Sequence, residues 1–232
     1  MRMSLWLRHE KLVEMKVLRS SALFVAGLGG LGSTVSELLV RLGIGKLYIA
    51  DNGLVDEPDL NRQILYSKGD IGKRKVDAAM ERLSRLTSET SLQGIFADIN
   101  DERFSLPEDI LGVVDCLDNW RTRFRLEALA RERGIFLVHG GVKEMYGQVT
   151  TILPPETPSL KEILGEVKEE GTLQVFPPLV TAIASLQAWE ATNAILGRPR
   201  LLGKLLILDL WAPSLEVVQL NRRKAEIDPS EL

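Results

Sequence analysis

Residues 22–32, ALFVAGLGGLG, constrain this chain more than any other stretch. The apolar run Ala22-Leu23-Phe24-Val25-Ala26 meets Gly27, Gly29, Gly30 and Gly32, with the first, second and last at G-x-G-x-x-G spacing. Residues 33–42 then continue with apolar side chains at helical intervals. A buried strand, a glycine turn and a helix in that order open a nucleotide-binding α/β unit. The first glycine allows the tight turn, the second lets a phosphate approach the backbone, and the third lets helix and strand pack closely. The helix N-terminus then offers free N–H groups and the positive end of its dipole to an anion. The competing reading is a purely structural glycine turn. Asp51 weighs against it: roughly twenty residues beyond the glycines, at the tip of the next strand, a carboxylate can accept both ribose hydroxyls.

The pattern repeats along the chain. Residues 46–50, 92–96, 112–116 and 135–138 read as strands, with helices over about 73–86 and 121–133 and a polar loop over 52–70. Strands alternating with helices predict a Rossmann-like, doubly wound α/β fold, its sheet mainly parallel with helices on both faces. The second half differs. Residues 147–153 alternate like a strand that Pro154-Pro155 ends. Residues 159–171 read as a charged, mobile or crossing loop with a helical turn, and 177–196 as a long buried helix. Residues 204–210 and 215–220 form two strands of an antiparallel C-terminal extension. Residues 1–232 are thus expected to form a single domain, with a nucleotide-binding half over about 20–140 and an antiparallel half over about 141–222. The tail after Asn221 reads as frayed.

Composition narrows the partners. With 45% hydrophobic and 26% charged residues the chain can bury a core, and its net charge of −3 argues against nucleic acid or an anionic membrane as the main partner. No stretch is apolar enough for a signal peptide, and Gln187 and Glu190 mark 177–196 as a buried helix rather than a membrane span. A soluble, cytoplasmic protein is the expectation. One cysteine, Cys116, and two distant histidines, His9 and His139, exclude an intrachain disulfide and leave no zinc cage. Cys116 reads as packing in an apolar strand, and His139 as a strand-end or loop residue.

The glycines and Asp51 would serve a dinucleotide dehydrogenase equally well. The loop beyond them carries more cations than hydride transfer needs: Arg62 in Asp59-Leu60-Asn61-Arg62-Gln63, and the lysines of Gly72-Lys73-Arg74-Lys75. Such charges suit a triphosphate, and a solvated basic helix start is the alternative. Val113-Val114-Asp115-Cys116-Leu117-Asp118-Asn119 sets two acids at a strand's C-terminal end, where open α/β sheets bind ligands. Asp118 is the better placed for Mg2+ on leaving phosphates, or else for capping the following helix.

Taken in order and spacing, the glycine motif with its following Ser33, Asp51, Asn61-Arg62-Gln63, Lys75 and residues 115–119 resemble the ThiF/MoeB/HesA family, which shares the adenylation fold of ubiquitin-activating enzymes. The resemblance covers about residues 8–220. It implies an ATP- and Mg2+-dependent adenylyltransferase activating the C-terminal glycine carboxylate of a small ubiquitin-like sulfur-carrier protein ending in Gly-Gly, of thiamine or molybdopterin type. In that reading the glycine loop passes under ATP, Asp51 holds ribose, Arg62 and Lys75 the phosphates with Asp59 and Asn61 beside them, and Asp118 the magnesium. The antiparallel half would bind the carrier. A homodimer is implied, with Arg8 reaching the partner's ATP. The sequence departs from the family in three respects: Asp59 stands where asparagine is usual, the paired C-x-x-C zinc motifs are missing, and no cysteine lies in the 159–175 segment. A separate sulfurtransferase would therefore bring the sulfur. Other readings are a non-catalytic scaffold half of an activating enzyme, a branch adenylating an RNA base or small molecule, and an NAD-dependent oxidoreductase.

Overall fold

The computed structural model describes residues 5–167, 171 and 174–220. Turns through residue 13 lead to α1 (Met15–Arg19) and β1 (Ala22–Ala26), followed by α2 (Gly30–Leu42), β2 (Lys46–Asp51), α3 (Lys75–Ser84) and β3 (Ser91–Phe96). Then come β4 (Gly112–Asp115), α4 (Trp120–Glu132), β5 (Phe136–Lys143), β6 (Tyr146–Ile152), α5 (Leu160–Leu164), α6 (Pro177–Ile195), β7 (Lys204–Asp209) and β8 (Ser214–Gln219). All eight strands share one sheet, ordered β3-β2-β1-β4-β5-β6-β7-β8. From β3 to β5 the pairing is parallel, and from β5 to β8 it is antiparallel.

The alternation of side chains across β1 builds two apolar layers. Leu23 and Val25 join Val35 and Leu39 of α2, Ala79 and Leu83 of α3, and Ile183 and Ala184 of α6. Phe24 and Ala26 join Leu126, Leu129 and Ala130 of α4. Because helices cover both faces, β1 is buried at every residue, which is why its sequence is a continuous apolar run. The strand order runs outward from β1 to β2 and β3 on one side and from β4 onward on the other. A crevice opens at that reversal, beyond the C-terminal ends of β1 and β4.

The expected doubly wound fold is the one found, and three details differ. First, α2 begins at Gly30 rather than Ser33, so the end of the glycine motif is already helical. Second, β5 continues through Gly140 and Gly141 to Lys143. The strand expected from the sequence ends at Val138, but these glycines pair with Val149 and Gln148 of β6. A Cβ on Gly140 would lie 2.1 Å from Cδ of Gln187, so the glycine makes room for α6. Third, α6 is not buried all round: Pro178, Thr181, Ser185 and Trp189 are exposed along one side, while its buried Gln187 and Glu190 are satisfied. Gln187 Nε2 donates to the Asp115 carbonyl at 2.8 Å, and Glu190 accepts from the Thr151 hydroxyl at 2.6 Å and from the Leu201 N–H at 2.7 Å. No helix among the described residues is long and apolar enough to cross a membrane. The expectation of a frayed tail falls outside the described residues.

The two glycines at the ends of the motif are steric necessities. Gly27 adopts φ +86°, and a Cβ on Gly32 would sit 1.8 Å from the Gly27 carbonyl oxygen. A Cβ on Gly29, in contrast, would have its nearest neighbour 3.9 Å away. Gly32→Ala is therefore expected to lower unfolding free energy by about 3 kcal/mol, and Gly29→Ala by about 1 kcal/mol or less. Urea unfolding checks both, and equal losses would contradict this division of roles.

Candidate active site

The crevice between β1 and β4 widens into a cleft of about 720 Å³, within the range of small-molecule sites. Gly27, Gly29 and Gly30 form part of its wall. The Gly27 N–H donates to the Ala50 carbonyl at 2.8 Å, and the Tyr66 hydroxyl donates to the Leu28 carbonyl at 2.9 Å, which fixes the loop between β1 and α2. Burial pushes the Tyr66 phenol far above its ordinary pKa, so it stays a donor. Gly29 caps α2 without a side-chain hydrogen bond. The first-turn amides of a helix have no helical acceptor, and among the described residues no capping side chain competes with an anion for them.

Asp51 ends β2. Its Oδ2 accepts from the Leu28 N–H at 2.7 Å and its Oδ1 from the Gly53 N–H at 2.6 Å. Each carboxylate oxygen retains a further lone pair for a ligand hydroxyl. The next loop folds into a 3-10 turn, Glu57–Asn61, closed by a reciprocal cap between Asp56 and Asp59. Asp59 then faces two cations: Lys75 Nζ lies 3.2 Å from its Oδ2 and Arg62 Nη2 lies 3.6 Å from its Oδ1. Of the basic run at residues 73–75, only Lys75 lines the cleft. Lys73 pairs with Asp70 at 2.8 Å, and the Arg74 guanidinium lies 4.3 Å from the centre of the Phe96 ring.

After β4, Asn119 caps α4 by accepting from the Thr122 N–H at 2.9 Å. The capping role considered for Asp118 belongs to Asn119, and Asp118 is exposed on the cleft. Asp115 is wholly buried beneath the loop and takes no part in lining the cleft. It accepts from Arg123 Nη1 at 2.8 Å, from His139 Nδ1 at 2.7 Å and from the Leu117 N–H at 3.1 Å. Arg123 also donates to the carbonyls of Leu117 and Gly140. Burial opposes ionisation of Asp115, but the charge of Arg123 and the hydrogen bond from His139 hold its carboxyl below the ordinary value.

His139 is not at a strand end, as the sequence suggested, but inside β5 with no exposed surface. Burial and the neighbouring Arg123 push its pKa down, which favours the neutral ring. The tautomer protonated on Nδ1 satisfies Asp115 and leaves Nε2 to accept from Gln148 Nε2 at 3.2 Å. Cys116 follows β4 directly and is 6% exposed. Burial, then the nearby Asp115 charge, push its thiol well above the ordinary pKa.

The structure thus brings Gly27, Gly29, Gly30, Asp51, Asp59, Arg62, Lys75 and Asp118 to one cleft. Gly32 lies behind its wall. Asn61 buttresses the site, its Oδ1 accepting from Arg62 Nη1 at 3.0 Å. Arg8 is exposed near Trp6, which packs on Gly43 at the far end of α2, and does not reach the cleft of its own chain. Gln63 of the Asn61-Arg62-Gln63 motif lines the cleft too, as do residues not singled out in the sequence: Arg123, and Asp98 with Asn100 after β3. Asn100 Nδ2 donates to Thr122 Oγ1 at 2.8 Å, linking the segment after β3 to the first turn of α4. Their only sequence signal is a polar pair just past a strand's C-terminal end.

These groups fit a nucleoside triphosphate: a glycine-walled helix terminus, a pinned carboxylate, and two cations. No cluster of three or more histidine, cysteine or acidic side chains suited to a metal occurs among the described residues. A magnesium ion at Asp118 would take its remaining ligands from phosphates and water, as Mg2+ commonly does.

The sequence model of the ThiF family matches residues 3–228. The SAMP-activating enzyme E1 of Haloferax volcanii is 31% identical over 211 residues, covering 87% of this chain and 77% of that protein. The sulfur carrier protein ThiS adenylyltransferase of Bacillus subtilis is 31% identical, covering 93% of this chain and 66% of that protein. The molybdopterin-synthase adenylyltransferase of Escherichia coli is 30% identical, covering 89% and 86%. Among solved structures, Escherichia coli MccB with succinimide has the same fold, with a TM-score of 0.85 at 20% identity, covering 96% of this chain and 72% of that one.

The buried, poorly ionised thiol of Cys116 should resist a water-soluble thiol reagent in the native protein, even at pH about 9, where an ordinary cysteine is largely thiolate. It should react fully once the chain is denatured. Native labelling at the rate of a free thiol would contradict the environment described.

Proposed function

The chain belongs to the ThiF family, and from that premise we propose that it is an ATP-dependent adenylyltransferase. Its substrate is the C-terminal glycine carboxylate of a small ubiquitin-like sulfur-carrier protein ending in Gly-Gly, of thiamine or molybdopterin type. The observation that carries the proposal is the convergence of Arg62, Lys75 and Asp118 on the cleft that the glycine loop and Asp51 already shape for a nucleotide. The activities named for the relatives support the same reaction class.

In this reading Asp51 accepts the ribose hydroxyls and the α2 amides face the phosphates. A carboxylate oxygen of the carrier attacks the α-phosphorus, the bond to the bridging oxygen breaks, and pyrophosphate leaves with the bonding pair. The product is a mixed carboxylic–phosphoric anhydride. The attacking group is already ionised, so no general base is needed, and catalysis is positioning and charge neutralisation. Arg62 and Lys75 stabilise charge growing on the departing phosphates. Bound Mg2+, held by Asp118, would supply further positive charge there. Cys116 is the chain's single thiol and is buried, so sulfur attack on the anhydride falls to an external donor, such as a persulfide on a sulfurtransferase. Arg8 lies outside its own cleft, which accords with a homodimer in which it serves the partner's site.

Pyrophosphate should exchange into ATP only when the carrier ends in a free carboxylate, and amidating that terminus should abolish exchange. Exchange that persists with the amide would rule out this chemistry. Lys75→Ala and Asp118→Asn should each raise the barrier in kcat/KM by about 2–4 kcal/mol with the fold intact, and near-normal turnover in both would place the reaction elsewhere. For the dimer, mixing Arg8→Ala chains with Lys75→Ala chains should restore activity that neither has alone. No recovery from stably mixed dimers would remove Arg8 from the site.

A further inference from the structure

Asp59 is a negative charge set among the cations that face the cleft, and its contacts divide into two kinds. One oxygen, Oδ2, accepts from the Asp56 N–H at 3.1 Å and lies 3.2 Å from Lys75 Nζ. The other, Oδ1, accepts from Gln63 Nε2 at 2.6 Å and lies 3.6 Å from Arg62 Nη2. Each oxygen therefore has one neutral donor from its own turn and one cation. The neutral donors hold the carboxylate in place by themselves, so either cation can leave without stranding it. Arg62 is likewise held independently, by the Pro58 carbonyl at 2.9 Å and Asn61 Oδ1 at 3.0 Å. Gln63 adds a second mark of an unusual arrangement. It is 2% exposed, and its Oε1 has no hydrogen-bond partner although its Nε2 serves Asp59. A buried amide oxygen left unsatisfied costs stability, and here that cost accompanies the fixing of one carboxylate.

We propose that Asp59 is a displaceable counter-ion of the polyphosphate subsite. In the free protein it is the counter-charge that Lys75 and Arg62 share at the cleft. When the outer phosphates of a ligand take these cations, Asp59 stays behind on its neutral donors and opposes the phosphate charge. It thereby keeps polyphosphate binding weak enough for pyrophosphate to depart, and it acts on the outer phosphates alone. Asp59 is thus a positioning residue. The inference rests on the adenylation reading only in identifying the polyphosphate with that of ATP and pyrophosphate.

The substitution Asp59→Asn tests this, because it removes the charge at constant size. Rotating the Gln63 amide lets its unpaired Oε1 accept from the new side chain, so the fold should melt as wild type does; Asp59→Ser is the second charge-free variant should that packing fail. Inorganic tripolyphosphate is titrated calorimetrically into each protein at fixed ionic strength without divalent metal. The charge-free variants should bind it on the order of tenfold more tightly, the effect of one unit charge at short range, and Asp59→Glu should remain close to wild type. AMP, which lacks the outer phosphates, should bind wild type and Asp59→Asn equally. Unchanged or weaker tripolyphosphate binding in folded charge-free variants, an equal gain for AMP, or no binding by any of the proteins would overturn the proposal. A wild-type protein that binds tripolyphosphate but no non-hydrolysable ATP analogue would instead overturn the adenylation reading, leaving the role of Asp59 to the tripolyphosphate comparison.

Discussion

The contact of Gly32 with the Gly27 carbonyl sets the geometry on which everything else in this molecule depends. With no side chain between them, α2 can start immediately beyond β1, its first-turn amides against the cleft. Any Cβ at Gly32 would push the helix off the strand, and with it the wall that Gly29 and Gly30 provide. The same approach lets α2 pack in one layer with α6 and leaves the β1–β4 crevice open. Backbone sterics therefore come first, and the charged groups are arranged around what they allow.

Those charges show two different solutions to the problem of placing ions in a partly dry site. Asp115 and His139 are fully interior and Arg123 nearly so, only its edge reaching the cleft, and their hydrogen bonds close on one another and on the Leu117 and Gly140 carbonyls. A buried ion pair of this kind adds little net stability, because desolvation offsets its Coulombic gain; what it does here is tie the loop carrying Asp118 to β5. Asp59, Arg62 and Lys75 sit at the cleft wall and are paired loosely, at 3.2 and 3.6 Å. The first cluster is a fixed support, and the second is available to a ligand. Asp118, exposed on the cleft and relieved of capping by Asn119, is available for the magnesium-holding role proposed for it.

The fold and much of the site were legible in the sequence because their signals are local. A strand, three spaced glycines and an acid at the next strand's tip occupy residues 22–51, and each residue's role follows from its neighbours. Lys75 and Asp118 were legible for the same reason, each lying close to a strand or helix end. What stayed hidden depends on distant chain segments. Arg123 reads as one more helical arginine until β5 brings His139 and Gly140 to it. Asp98 and Asn100 count only because β3 lies at the edge of the parallel run, with its end turned toward the cleft. Gly140 extends β5 beyond its expected end at Val138, and only the packing of Gln187 against it explains why a glycine stands there. Lys73 and Arg74 resemble Lys75 in sequence, yet Asp70 and Phe96 draw them away.

The central claim is that this cleft joins a carrier's own carboxylate to the α-phosphorus of ATP. The most direct measurement follows oxygen: a carrier with heavy oxygen in its terminal carboxylate is incubated with the protein, ATP, Mg2+ and a sulfide donor, and the AMP formed is weighed by mass spectrometry. Attack by the carboxylate leaves one heavy oxygen in AMP once the anhydride is opened at carbon. Carrier-dependent AMP that contains no heavy oxygen would contradict the account.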